Sequence, residues 1–241
     1  MMRRIRLGML TPSSNTVLEP VTCAMIAGLP EVSAHFGRFH VTEIALSDSA
    51  LAQFDDAPIL AAAELLAHAK VDVIAWNGTS SGWLGFEADA ALCRRIAEAT
   101  GIPATSSMLA LNEVLARTGV RRLGLATPYT GDVQARIVAN YAALGHSCDA
   151  ERHLGLRDNF SFSEVGDEEM WEMVRAVASV RPDALAVVCT NLRAAPLTAA
   201  MEAELGLPVY DTVATAVWKS LLLAGVDARR VTGWGSLFQL A

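Results

Sequence analysis

The feature that most constrains this chain is that it repeats itself in pieces and breaks the repeat at one position. Arg6-Leu-Gly-Met-Leu-Thr-Pro12 returns as Arg122-Leu-Gly-Leu-Ala-Thr-Pro128. Asp72-Val-Ile-Ala-Trp-Asn-Gly-Thr79 returns as Asp183-Ala-Leu-Ala-Val-Val-Cys-Thr190, and Gly101-Ile-Pro103 as Gly206-Leu-Pro208. The order is the same in both halves. The offsets drift from 116 to 111 to 105, as loops of unequal length would make them. Two halves of one plan follow, and Cys189 then stands opposite Gly78 across a pseudo-twofold axis.

Each half alternates short β-rich runs with helix-length amphipathic stretches, the pattern of parallel βαβ units. Strands are predicted at Ile5–Leu10, Ser33–Ile44, Val71–Trp76, Ala104–Ser106, Arg122–Ala126, part of Ala143–Leu154, Ala184–Cys189, Val209–Tyr210 and Val231–Trp234. Helices are predicted at Val17–Ala27, Ala57–Ala69, Phe86–Thr100, Ser107–Thr118, Tyr129–Leu144, Asp167–Val180, Leu197–Leu205 and Thr212–Ala224, several with glycine stops. The fold class is α/β: two pseudo-symmetric, doubly wound parallel-sheet domains with the active cleft between them. The first half is expected to span 1–105, completed by 214–241, and the second 106–213.

Composition narrows the partners. Of the 241 residues 52% are hydrophobic, ample for a core of this size, and the net charge is −7. Phosphate binding is driven by Lys and Arg, so no nucleic acid partner is expected. No apolar run approaches the roughly 18–20 residues of a membrane span, so no membrane association is expected either. The basic start runs into Pro12 and polar residues and reads as strand and turn, not as a signal peptide. Cys23, Cys93, Cys148 and Cys189 show neither CxxC nor Cys/His spacing. That argues against a metal and for a reduced, cytoplasmic setting. No GxGxxG or phosphate-loop motif is present, so no cofactor is implied.

In open α/β sheets ligands bind beyond the carboxyl ends of the strands. Four repeated loops sit there: Thr11–Asn15, Asn77–Gly82, Thr127–Thr130 and Cys189–Asn191. They are rich in hydroxyls and amides and poor in charge. Asn15, Thr79, Ser80, Tyr129, Thr190 and Asn191 are candidate donors to a carboxylate or to an enediolate beside one, and Gly78 allows close backbone approach. The same residue types also cap helices and close turns. Cys189, read as lying between a strand end and a helix N-terminus, is expected to have a lowered pKa and to move a proton. Cys23, Cys93 and Cys148 read as packed structural cysteines. Asp72 and Asp183 read as surface turn residues, and Trp76, Trp83 and Phe86 read equally as an apolar wall near the glycine loop or as core packing.

At these residues the chain resembles the aspartate/glutamate racemase superfamily, in its maleate cis–trans isomerase and arylmalonate decarboxylase branches. Pro12-Ser13-Ser14-Asn15-Thr16 with Glu19-Pro20 is similar to the isomerase opening, whose asparagine binds a substrate carboxylate. Tyr129 in Thr127-Pro128-Tyr129-Thr130 and Asn159 in Asp158-Asn159-Phe160 resemble isomerase residues that contact substrate. Cys189 matches the second-half cysteine, a proton donor or acceptor. The resemblance implies two α/β lobes, no cofactor, a small carboxylate or dicarboxylate substrate, and a homo-oligomer. Isomerases and racemases of this group carry a cysteine in each half. Gly78-Thr79-Ser80 is instead similar to the decarboxylase, which keeps one cysteine to protonate the enediolate left by CO2.

The expectation from overall similarity is a cofactor-independent, maleate isomerase-like enzyme with Cys189 as acid/base. A malonate-type decarboxylase is the alternative that a single thiol favours, and a non-catalytic carboxylate-binding protein is the rival of another class.

Overall fold

The structure is a computed structural model that describes residues 3–47 and 56–240. Two four-stranded parallel sheets carry the chain. In the first, β1 (Ile5–Pro12) pairs with β2 (Val32–Phe39) on one side and β3 (Val73–Trp76) on the other, and β4 (Ala104–Ser106) closes the order β2-β1-β3-β4. In the second, β5 (Arg122–Thr127), β6 (Ser147–His153), β7 (Ala184–Val187) and β8 (Val209–Asp211) take the order β6-β5-β7-β8. The repeated segments therefore occupy equivalent strands. Every residue of β3 and of β7 is buried, as strands covered on both faces must be. Asp72 and Asp183 do more than turn the chain. The Asp72 carboxylate accepts the Arg6 N–H at 2.8 Å and that of Asp183 accepts the Arg122 N–H at 2.8 Å, so each fixes the register of a central strand.

Nine α-helices cover the sheets: α1 (Leu18–Ile26), α2 (Asp56–His68), α3 (Ser81–Leu84), α4 (Phe86–Thr100), α5 (Ser107–Thr118), α6 (Gly131–Ala143), α7 (Asp167–Ala178), α8 (Thr198–Leu205) and α9 (Thr212–Leu223), counted among the described residues. Equivalent loops end α4 and α8, where Gly101 (φ 69°) and Gly206 (φ 68°) take the left-handed conformation that glycine adopts without strain. Equivalent side chains start α5 and α9: the Ser106 hydroxyl accepts from Leu109 N–H, and the Asp211 carboxylate from Val213 and Ala214 N–H. These two helices lie against one another, tied by the Thr215 hydroxyl donating to the Ser107 carbonyl at 2.9 Å. From there α9 reaches α1 and the β3–β4 side of the first sheet. Among the described residues no helix is long and apolar enough to cross a membrane.

The structure corrects three sequence expectations. The segment Val231–Trp234 is not a strand. Asp227 caps a 3-10 turn at Ala228–Arg230, and Gly233 (φ 85°) and Gly235 (φ 87°) bend the chain too sharply for a ladder. The segment instead buries Val231, Leu237 and Phe238, and the Trp218 indole donates to the Leu240 carbonyl. The second strand stops at Phe39 rather than Ile44, because the Val41 N–H and carbonyl bond to the hydroxyls of Ser13 and Ser14. Cys23 is exposed on α1, whereas Cys93 and Cys148 are buried as expected.

Candidate active site

The carboxyl ends of β1, β3, β5 and β7 converge on a cavity of about 20 Å³, room for roughly one water molecule. Cys189, Thr190, Tyr129 and Asn159 approach it from the second half, and Gly78, Thr79 and Ser80 from the first. Pro12, Val41, Ile44, Trp76 and Trp83 make the remaining wall apolar. A roomier groove of 360 Å³ lies at the amino ends of β7 and β8, lined by Pro182, Leu207 and the Arg175–Glu204 ion pair. That is the wrong end of a parallel sheet for a ligand.

Hydroxyls link the halves around the cavity. The Tyr129 phenol and the Thr79 hydroxyl are 2.6 Å apart, and the Thr190 hydroxyl donates to the Asn77 carbonyl at 3.1 Å. Burial pushes the Tyr129 phenol well above its ordinary pKa, so it is a neutral donor. Trp83 and Phe162 hold its ring edge-on at 5.2 and 5.7 Å.

Asn15 and Asn191 stand behind the cavity wall, with their side chains spent on joining the halves. Asn15 donates to the Thr190 carbonyl at 3.0 Å and caps α1 by accepting from Val17 and Leu18 N–H. Asn191 accepts from Thr16 N–H at 2.9 Å and donates to the Asn159 carbonyl at 2.5 Å. Asn159 lines the cavity, and its amide donates to the Ser14 hydroxyl. Phe86 does not join the wall; it packs on Tyr141 at 5.0 Å, leaving Trp76 and Trp83 there.

A clasp that sequence reasoning missed joins the halves beside the cavity, whose wall includes Ile44 and Asn159. Ile44 N–H donates to the Arg157 carbonyl and Asn159 N–H to the Thr42 carbonyl, both at 2.9 Å, with Glu43 and Asp158 as an antiparallel pair. One strand of the clasp comes from each half. No repeat or apolar period marks it, since a bridge this short leaves no pattern.

The thiol differs from expectation. Cys189 is 2% exposed, and burial pushes its pKa up to about 12, against the pull of the Asn191 N–H at 3.3 Å and of the Tyr129 hydroxyl. The expected lowering fails because no helix starts at Cys189. The chain turns through Thr190–Ala194 and a 3-10 segment, Ala195–Leu197, before α8 begins, so no aligned helix dipole meets the sulfur. Cys189 is a neutral thiol at rest.

Two buried carboxyls escaped the sequence reading. Asp89 on α4 is pushed up to about 6 by burial, while the hydroxyls of Ser106 and Ser81 and the Trp76 indole at 3.1 Å hold its pKa down. Asp211, close enough to Cys189 to act on it electrostatically, is pushed up to about 7 by burial, and its second oxygen has no partner among the described residues. A folded-state pKa above the unfolded one means that the carboxyl must release a proton into an unfavourable setting as pH rises. Stability is therefore present below about pH 4 and lost as pH climbs through 7, by up to about 4 kcal/mol for Asp211. Asp211→Asn keeps one cap oxygen and cannot ionise. Urea unfolding at pH 5 and pH 8 is expected to show a smaller loss for this variant than for the wild type.

Among the described residues no His, Cys, Asp or Glu cluster suits a metal. The chemistry that the cavity residues themselves offer is proton transfer or addition at one sulfur, with negative charge held by uncharged donors.

A family model described as arylmalonate decarboxylase matches residues 14–238. The chain belongs to the arylmalonate decarboxylase family. It is 32% identical over 169 residues to the arylmalonate decarboxylase of Bordetella bronchiseptica, covering 69% of this chain and 70% of that one. It is 25% identical over 232 residues to the maleate isomerase of Geobacillus stearothermophilus, covering 92% of each. A Nocardia farcinica maleate cis–trans isomerase, solved as a cysteine-to-serine mutant with a covalently bound succinylcysteine intermediate, superposes with a TM-score of 0.90 over 98% of this chain and 99% of that one, at 24% identity. This family member is thus an enzyme, which sets aside the binding-only rival. Its relatives are an arylmalonate decarboxylase and maleate isomerases, and the maleate isomerase structure shares its fold.

Proposed function

We propose that the enzyme acts on a small dicarboxylate through Cys189 alone, and that malonate-type decarboxylation is the reaction this geometry serves best. The observation that carries the reading is that Cys189 and Gly78 line one cavity and that, among the described residues lining it, there is no second Cys, His, Asp, Glu or Lys; burial keeps the thiol in its protonated form. Loss of one carboxylate as CO2 leaves its bonding electron pair on the α-carbon, delocalised into the remaining carboxylate as an enediolate. Thr79, Ser80 and Tyr129 donate hydrogen bonds to that oxyanion. The Cys189 S–H then gives its proton to the α-carbon, and the thiolate recovers a proton from water. A thiol that stays protonated to about pH 12 is in the correct state to donate. The apolar wall of Pro12, Val41 and Ile44 leaves the departing carboxylate poorly solvated.

Cis–trans isomerisation is the second reading, favoured by the similarity over 92% of the chain to a maleate isomerase. Here a Cys189 thiolate would add to the double bond, the resulting single bond would rotate, and the sulfur would leave. It needs an ionised sulfur, which the closed cavity opposes. Proton NMR in D2O with α-substituted malonates and with maleate separates the two. Decarboxylation is expected to place one solvent deuteron at the product α-carbon. Conversion of maleate to fumarate, with the malonates untouched, would overturn the first reading in favour of the second.

A further inference from the structure

We propose that Trp76 occupies the place where a first-half acid/base side chain would stand, and that its indole closes the face of the bound substrate opposite Cys189. A β-carbon added at Gly78 would lie 2.1 Å from Cζ2, 2.4 Å from Cε2 and 2.7 Å from Cη2 of Trp76. No carbon pair tolerates such contact, so Gly78 is glycine because the ring is there. The ring cannot swing away cheaply. It is 1% exposed, its Nε1–H donates to Asp89 at 3.1 Å, and Phe39 packs on it with centroids 4.8 Å apart.

The second half shows the complementary solution. By the repeat offset of 111, Trp76 corresponds to Val187 and Gly78 to Cys189. Both pairs end the equivalent strands β3 and β7. One half therefore joins a large residue to a glycine, and the other a small residue to a thiol, so that each pair fills similar space. At this position the asymmetry of the cleft resides in two residues per half. Trp76 acts as a specificity-determining wall: the proton arrives from the Cys189 side, and neither a second thiol nor water reaches the other face. The wall deepens the one-thiol reading above and rests on it for its stereochemical consequence, but the packing claim does not.

The packing claim is tested without substrate. Thermal unfolding of Gly78→Ala, Trp76→Val and the double variant forms a cycle. Gly78→Ala alone is expected to lower Tm by roughly 2–12 °C, the usual range for overpacking in a chain of this length. In the Trp76→Val background the same change is expected to cost less than about 2 °C. Equal costs in both backgrounds would overturn the claim. The wall is tested on a prochiral α,α-disubstituted malonate. The wild type and Trp76→Phe, which keeps a ring, are expected to give one enantiomer. Trp76→Val lets water protonate the second face, leaving hydroxide, and the enantiomeric excess is expected to fall several-fold. Unchanged stereochemistry in Trp76→Val would remove the wall. If no malonate is turned over at all, the decarboxylase reading fails and the stereochemical role of the wall fails with it, while the packing claim stands or falls on the thermal cycle alone.

Discussion

Cys189→Ala is expected to lower turnover by about 10²–10⁴-fold while leaving the folded protein intact, the range for removing a positioned proton donor. The side chain is small and neutral, and its Sγ accepts one 3.3 Å bond from Asn191 N–H. Deleting it opens a space little larger than a methyl group, so thermal stability should change by a few degrees at most. Cys189→Ser keeps the acceptor for Asn191 but replaces the thiol by a far weaker acid, and it should be nearly as inactive. Following CO2 release or substrate NMR for the three proteins checks this, and full turnover in either variant would end the thiol mechanism. The pH dependence carries a sign. With the thiol pushed up to about 12, its donating form persists throughout the neutral range. A rate rising tenfold per pH unit between 7 and 9 would instead report an ionised sulfur as the working form, as addition to a double bond requires.

Thr79→Ala is expected to have the second largest effect, about 10²–10³-fold in kcat, the loss found when one oxyanion donor is removed. Thr79 touches both halves through the 2.6 Å contact with Tyr129, so two roles compete. If the hydroxyl only helps join the lobes, its loss should cost about 1 kcal/mol of stability and leave kcat nearly unchanged. If it stabilises developing charge, kcat falls and stability moves little. Tyr129→Phe is the useful companion, since it leaves Thr79 without its phenol partner. Measuring kcat and Tm on both variants separates positioning from charge stabilisation.

The architecture was legible because parallel sheets leave a strong trace. The repeated Arg–Leu–Gly and Asp–(apolar)4 segments each mark a strand buried on both faces, and Gly101 and Gly206 mark equivalent helix ends. Sequence reasoning gathered Gly78, Thr79, Ser80, Tyr129, Cys189 and Thr190 because they closely follow those strands, and Asn159 through the family resemblance alone. It did not reveal that the side chains of Asn15 and Asn191 bond to partners more than 170 positions distant, because no local pattern announces such a partner. The acidity of Cys189 was misread for a related reason. A strand end usually leads straight into a helix, but here Pro196 lies in an intervening 3-10 turn that removes the dipole. Val231–Trp234 looked like a strand because β-branched and aromatic residues cluster there, but the Asp227 cap and the left-handed Gly233 and Gly235 turn it out of any ladder. Trp76 was visible as an aromatic near the glycine loop. Its bearing on Gly78 depends on a ring orientation set by Asp89 and Phe39, which only tertiary packing supplies.

The clasp between residues 42–44 and 157–159 has a consequence for substrate entry. A pocket that holds about one water is too small for the dicarboxylate proposed here, and the two backbone bonds of the clasp are among the contacts that its widening would part. If the proposed carbanion forms behind that clasp, it is shielded from bulk solvent, and its fate is left to the one acid locked in with it.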